Sequence, residues 1–412
     1  MTIIKRDMMK NKSTGKGILL PFLSLLLLIL VFCLYYLSTA MSTIPTTVNN
    51  IETIQVKIPF VTIVMPSVVN PDGQIKRIRN IAQTWGHDSR AIFIVHLTEA
   101  EIKSGNKKHP SLLDYPTLTK SSTTMVNFPA VFYIPSTITP DMGVKRLQYI
   151  LSQITTILDP DFTFWVNDHT YVLSHHLCSY IKTKNSNEPL YIGHALKKDS
   201  EEYAFNSGAS GYLLSKYTMK QLIQEWNLDI SEQHPQCQTS DGISWYNQNP
   251  GLILAKCLHY KFETYPIDTR SYLDQSHVFH AFGISRMVTG DLDEWYRLKH
   301  KTFSENSFFG ESFRSNYEFL PTGSECCSVD TLTFHYVEAE ETLVIYDILQ
   351  YLNLEQHAFF SDVKNFIQNS YNDIEFLGGY SRPLPPETEE KEWDALLDVF
   401  QKLASEFTEC KI

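Results

Sequence analysis

Asn167-Asp168-His169 sets an amide, a carboxylate and an imidazole side by side at the end of the apolar run Asp161 to Val166. In an α/β sheet, ligands bind beyond the carboxyl ends of the strands, so this is a place where chemistry is expected. A carboxylate carries charge there, and an imidazole accepts a proton or ligates a metal. A second imidazole, His335, lies in the strand-like run Thr331 to Val337. Further along, Phe205-Asn-Ser-Gly-Ala-Ser-Gly211 is a loop signal followed by Tyr212. Gly208 and Gly211 either let backbone approach a ligand closely or simply make a tight turn before a helix.

Elements of both kinds must position these groups. Ile58 to Met65 is β-branched and apolar and reads as a buried strand. Gln74 to Trp85 carries Ile75, Ile78 and Ala82 at helical spacing, with Trp85 as a core residue, and Ala91 to Leu97 is a second strand. Val144 to Leu158 places Leu147, Ile150, Leu151, Ile154 and Leu158 on one helical face. The third strand is Asp161 to Val166, and Leu190 to His194 is a short fourth. Tyr212 to Trp226 reads as helix, Thr331 to Val337 as strand and Glu338 to Leu352 as helix. Strands alternating with helices predict an α/β fold with a mainly parallel sheet.

The body has a membrane address. Residues 18–37, Ile18 to Leu37, contain no charge, and a bilayer core of about 30 Å needs roughly 20 apolar residues. A cleaved signal peptide is the alternative, with Ser38-Thr39-Ala40 as a faint site. Lys5, Arg6, Lys10, Lys12 and Lys16 precede the span, and no basic residue follows until Lys57. The positive-inside rule then keeps residues 1–17 cytoplasmic and sends the rest to the lumen. Residues 38–57 are a polar stem, 58–355 a lumenal domain, and 356–412 a Pro-rich, acidic extension ending in an amphipathic helix, read as peripheral. Hydrophobic residues make up 43% of the chain and charged ones 20%, a globular composition. A net charge of −11 argues against nucleic acid as a partner. Cys178, Cys237, Cys257, Cys326, Cys327 and Cys410 lie beyond the span, and an even number in an oxidising compartment suggests disulfides.

Four blocks together resemble one family. Ile78-Arg-Asn-Ile-Ala-Gln-Thr-Trp-Gly86 is similar to RxxAxxKTWG, and Thr163-Phe-Trp-Val-Asn-Asp-His-Thr-Tyr-Val172 to WFxKADDDTYV. Pro189-Leu-Tyr-Ile-Gly193 with Ser207-Gly-Ala-Ser-Gly-Tyr-Leu-Leu-Ser215 is similar to YFG and SGGAGYVLS. Cys326-Cys327-Ser328 with Thr333-Phe-His-Tyr-Val337 is similar to GCCSD and SFHYV. These blocks, over residues 60–355, resemble the core 1 β1,3-galactosyltransferases of glycosyltransferase family 31 and their dedicated chaperone.

The resemblance implies a GT-A type nucleotide-sugar domain on a type II Golgi membrane anchor. It implies galactose transfer from UDP-galactose to O-linked N-acetylgalactosamine on glycoproteins, inverting and assisted by Mn2+. For the chaperone branch it implies an endoplasmic reticulum membrane protein whose partner is an active galactosyltransferase. A homodimer fits either branch. In the metal motif Asn167 and His169 stand where the family has aspartates; Asp168 remains, and His335 matches the family's metal-binding histidine. Asp168, His169 and His335 are thus the expected metal ligands, a weaker set than three carboxylates. The Glu-Asp pair that would supply a base is replaced by Asn249-Pro-Gly251, which leaves Asp241 as the nearest carboxylate, or as a turn residue before Gly242. The spacing of Cys237 and Cys257 leans to the chaperone, and these two are expected to pair. Cys326 and Cys327, being adjacent, are expected to seek other partners.

Overall fold

A computed structural model describes residues 58–67, 73–96, 110–119, 127–138, 143–197, 202–238, 250–267, 269–270, 276–293, 321–354, 360–372 and 390–405. All of them belong to one compact unit, Val56–Ile412. The expected membrane span and stem lie outside the described residues, among which no helix is long and apolar enough to cross a membrane.

In the first half β1 (Phe60–Met65), α1 (Gln74–Gln83), β2 (Ala91–His96), α2 (Gly143–Leu158) and β4 (Phe162–Asn167) fall where expected, and an unexpected strand, β3 (Ala130–Ile134), lies between β2 and α2. Next come β5 (Tyr171–Val172), α3 (Ser174–Lys182), β6 (Tyr191–Gly193), β7 (Ala195–Lys197), β8 (Ala204–Asn206), β9 (Tyr212–Ser215) and α4 (Lys216–Trp226). The remainder is α5 (Pro250–Phe262), β10 (Pro266–Ile267), β11 (Phe279–His280), α6 (Ile284–Thr289), β12 (Thr333–Phe334), α7 (Ala339–Leu354), α8 (Phe360–Asn372) and α9 (Glu390–Ser405).

Seven strands form one sheet in the order β10-β6-β9-β4-β1-β2-β3. β1, β2, β3 and β4 run parallel, and only β9 opposes its neighbours β4 and β6. The fold is therefore mixed α/β with a mainly parallel sheet. Alternate side chains leave opposite faces of each strand. Phe60, Val64, Phe93, Val95, Phe164 and Val166 enter one core with α1, α7 and α9. Val61, Ile63, Ile92, Ile94 and Trp165 enter the other with α2, α4 and α5. Burial on both faces explains the near-continuous apolar strands. A smaller sheet, β11-β12-β5, pairs β12 antiparallel to β5 just past the end of β4.

Two expectations change. Tyr212 to Ser215 is strand, not the first turn of a helix, because it fills the slot between β4 and β6. Ser215 then caps α4, its hydroxyl accepting from the Thr218 N–H at 3.3 Å. The C-terminal segment is not peripheral where it is described. Leu396, Leu397, Val399, Phe400 and Leu403 of α9 are fully buried in the same core as β1 and α1. Its apolar stripe is the reason: an amphipathic helix must cover its face.

Candidate functional site

The end of β4 lies beside the end of β1, Asn167 against Met65. One residue on, the Asp168 N–H donates to the Met65 carbonyl at 3.0 Å. That turns the Asp168 side chain inward, where it is 3% exposed. Its Oδ1 accepts from the Ser67 N–H at 2.8 Å, and its Oδ2 from Arg77 Nε at 2.9 Å. Arg77, on α1, is itself 2% exposed, so this is a buried ion pair with both carboxylate oxygens engaged.

Asn167 reaches the other way. Its Oδ1 accepts from the His169 N–H at 2.9 Å and lies 3.0 Å from the Thr170 hydroxyl. The amide nitrogen therefore faces His335, 2.9 Å from Nε2. An amide nitrogen only donates, so Nε2 accepts and the His335 ring proton sits on Nδ1. His335 is delivered by β12, and its N–H donates to the His280 carbonyl at 3.2 Å. Tyr336 next to it has a left-handed φ of 60°, which swings the chain from β12 towards α7. The Val337 N–H then donates to the His169 carbonyl at 2.9 Å, closing the ring of contacts.

Glu338 follows. Its carboxylate stands 3.9 Å from His169 Nδ1, a buried nitrogen with no hydrogen-bond partner. Burial holds the Asp168 carboxyl above its ordinary value, against the opposing pull of Arg77 and Ser67. Burial also raises Glu338 and pushes the fully buried Glu341 up to about 8. It pushes His169 down to about 4, helped by the Arg77 charge, and His335 down to about 3, helped by His169. Both imidazoles are neutral at physiological pH.

Neutral imidazoles suit a metal, but a metal needs several lone pairs converging on one point. Here the Asp168 oxygens point to Ser67 and Arg77, and His335 Nε2 to Asn167. Among the described residues no group of three or more His, Cys, Asp or Glu side chains converges as metal ligands. The expected ligands are brought to one place, yet as arranged they do not fit a carboxylate-rich manganese site.

The other expected residues divide. The loop before β9 does wrap the site: the Ala209 carbonyl accepts from the Thr170 hydroxyl at 2.9 Å, and the Ser210 carbonyl from Thr333 at 2.6 Å. Gly211 has φ 89°, and a Cβ there would lie 2.9 Å from Val166 Cγ1, so close packing on β4 accounts for it. A Cβ on Gly208 would meet open space. Tyr212 is 6% exposed, stacked on Trp165 at 6.2 Å between ring centroids, and belongs to the core rather than the site. Trp85 is likewise core, 2% exposed. Asp241 and Cys410 lie outside the described residues.

Cys237 and Cys257 are disulfide-bonded, joining the segment after α4 to α5. Cys178 is also disulfide-bonded. Cys326 and Cys327 do not seek other partners; they are bonded to each other. The turn Gly323–Glu325 delivers Cys326 in helical conformation, and a bridge to His277 pins Cys327, so the two buried sulfurs meet.

Arg77, Asn167 as a donor to His335, and Glu338 are the residues that strand and motif reading misses. The signal for Arg77 was a cation one position before Ile78 and four before Ile81, on the buried stripe of α1. A comparison of the sequence with models of known protein families finds no match.

Proposed function

We propose that the chain is a lumenal, membrane-anchored domain of GT-A type, related to the core 1 β1,3-galactosyltransferases, that binds and helps fold an active galactosyltransferase rather than transferring galactose itself. One observation carries this reading: two of the three residues expected to hold the metal and diphosphate are already engaged, Asp168 by Arg77 and His335 by Asn167. A developing diphosphate charge needs cations that are not already neutralised. The mainly parallel sheet, with β9 reversed beside β4, is compatible with the GT-A assignment. Purified protein given UDP-galactose, manganese and a peptide bearing O-linked N-acetylgalactosamine is expected to form no product. Cells lacking the chain are expected to lose core 1 synthesis and to regain it with a His169→Asn variant. Product from the purified protein would overturn the proposal.

A second reading, transfer of galactose by the chain itself, is favoured by the His169–Glu338 contact, where an unpartnered imidazole nitrogen faces a carboxylate. In it UDP-galactose is the donor, the glycoprotein is the acceptor, and Asp168 or His335 would have to leave its present contacts to hold Mn2+, which would supply positive charge for the diphosphate. His169 would then take the acceptor proton, with Glu338 stabilising the imidazolium. His169→Ala would abolish product while leaving the folding role unaffected.

A further inference from the structure

Two strands from Asn167, on the same edge of the sheet, a different cluster holds buried nitrogens without hydrogen-bond partners. Arg146 is the fourth residue of α2 and is 6% exposed. Its Nε and Nη1 are buried and have no hydrogen-bond partner, and the same holds for Nε2 of His96, the last residue of β2. A guanidinium does not shed its proton, and a charge buried without a counter-charge is costly. Such a group in a folded protein calls for an explanation.

The surroundings supply one. Side chains on a helix lean towards its N-terminus, so the Arg146 guanidinium is carried to the end of α2 whose first N–H groups lack intrahelical acceptors. That first turn contains no acidic residue, and α2 is 16 residues long, enough for its full dipole to favour an anion at this end. Among the described residues, the groups left without partners here are donors or can be: two guanidinium nitrogens and an imidazole nitrogen, beside the backbone N–H groups of the helix end. Donors without acceptors, set around a cation, match a tetrahedral oxyanion. The Arg146 charge is near enough to His96 to add to the burial that pushes its imidazole down to about 4.

We propose that Arg146, His96 and the N-terminus of α2 form a binding pocket for a phosphate group. It does not depend on the proposed folding role, since a phosphate-bearing ligand would serve an active or a silent domain alike. The phosphate belongs either to a nucleotide or to a free or sugar phosphate. Net repulsion by a chain of charge −11 makes nonspecific binding unfavourable, so a saturable response reports a built site.

Full-length protein in detergent is titrated with sodium phosphate at pH 7, against sodium chloride at equal ionic strength, following Tm and the 31P linewidth. A saturable rise in Tm and a broadened 31P line are expected with phosphate alone. Arg146→Met is expected to abolish both while raising Tm in chloride, because it removes an unpaired buried charge. A merely structural arginine would lower Tm in both salts. Arg146→Lys keeps the charge without the fork and should weaken phosphate binding about tenfold. Should Arg146→Met not fold, His96→Leu and Arg146→Lys decide it. No saturable phosphate response in the native protein, or one unchanged in both variants, overturns the proposal. UDP displacing phosphate where uridine does not identifies a nucleotide as the source. Phosphate binding that UDP leaves untouched identifies a free or sugar phosphate.

Discussion

Two clusters of charged and imidazole groups share one edge of the sheet and solve the same physical problem in opposite ways. Around Asp168, each of the Asp168, Asn167 and His335 groups at the strand end meets a partner from a different element: Ser67 after β1, Arg77 from α1, His335 from β12. Around Arg146, two guanidinium nitrogens and Nε2 of the half-buried His96 have none. Apart from Nδ1 of His169 and of His335, which are buried without partners, the Asp168 site is closed on itself and held together by what a ligand would otherwise supply. A site left open needs the ligand to be whole. The difference separates a structural knot from a binding pocket, although the residue types are nearly the same.

The sharpest way to break that comparison is to cut the knot. Arg77→Met leaves Asp168 buried without its cation, and loss of one partner of a buried ion pair costs about 3–5 kcal/mol. Urea unfolding should show a loss of that size. The double variant Arg77→Met/Asp168→Asn should recover much of it. A near-neutral Arg77→Met would mean that Asp168 is available to a ligand after all.

Acid should loosen the same knot. His169 and His335 are held at about 4 and about 3, below their unfolded value near 6.5. Groups with depressed values stabilise the fold fully above pH of about 6.5 and lose that stability as pH falls towards the folded value. Tm should therefore fall between pH of about 6.5 and 4, and His169→Asn should flatten the slope by up to about 3 kcal/mol. Glu341 works with the opposite sign. Its raised value of about 8 means stability is lost as pH rises from the unfolded range through 8, and Glu341→Gln should remove that loss. Measuring Tm from pH 4 to 9 separates the two limbs.

How much of this was legible in the residues follows from the range of the contacts. β1, β2, α2 and β4 announce themselves because burial on both sheet faces, or on one helix stripe, writes a local period. The strand end at Asn167-Asp168-His169 is local too, and the residues expected there lie close together, though not converging as metal ligands. Tyr212–Ser215 was misread because a short antiparallel strand running into a helix leaves no period of its own; its slot between β4 and β6 is defined by residues far away in sequence. The partners that decide the site are remote for the same reason. Arg77 is 91 residues from Asp168, and Asn167 is 168 from His335. Arg146 did leave a mark, a cation four residues before Ile150 on the apolar face of α2, but only the fold shows that nothing answers it. Phe400 and its neighbours looked peripheral because they follow a Pro-rich acidic stretch, which says how the chain arrives and not where it docks.

Smaller effects test the comparison by sign. Asn167→Ala removes the donor to His335 and leaves Nε2 buried and unsatisfied, at a cost of about 1–3 kcal/mol. The same chemistry at the other cluster should run backwards. His335→Leu and His96→Leu each replace a neutral imidazole, buried at His335 and half-buried at His96, with an apolar side chain. At His335 the change strands the Asn167 amide while removing one orphaned nitrogen, Nδ1, so stability should fall by up to about 1–3 kcal/mol. At His96 no hydrogen bond to Nε2 is lost and one orphaned nitrogen disappears, so in phosphate-free buffer stability should stay level or rise by about 1 kcal/mol. Added phosphate should reverse that order, because the native pocket gains a ligand that the leucine variant holds less well. Equal losses at the two histidines would show that both clusters are structural, and the open pocket would lose its meaning.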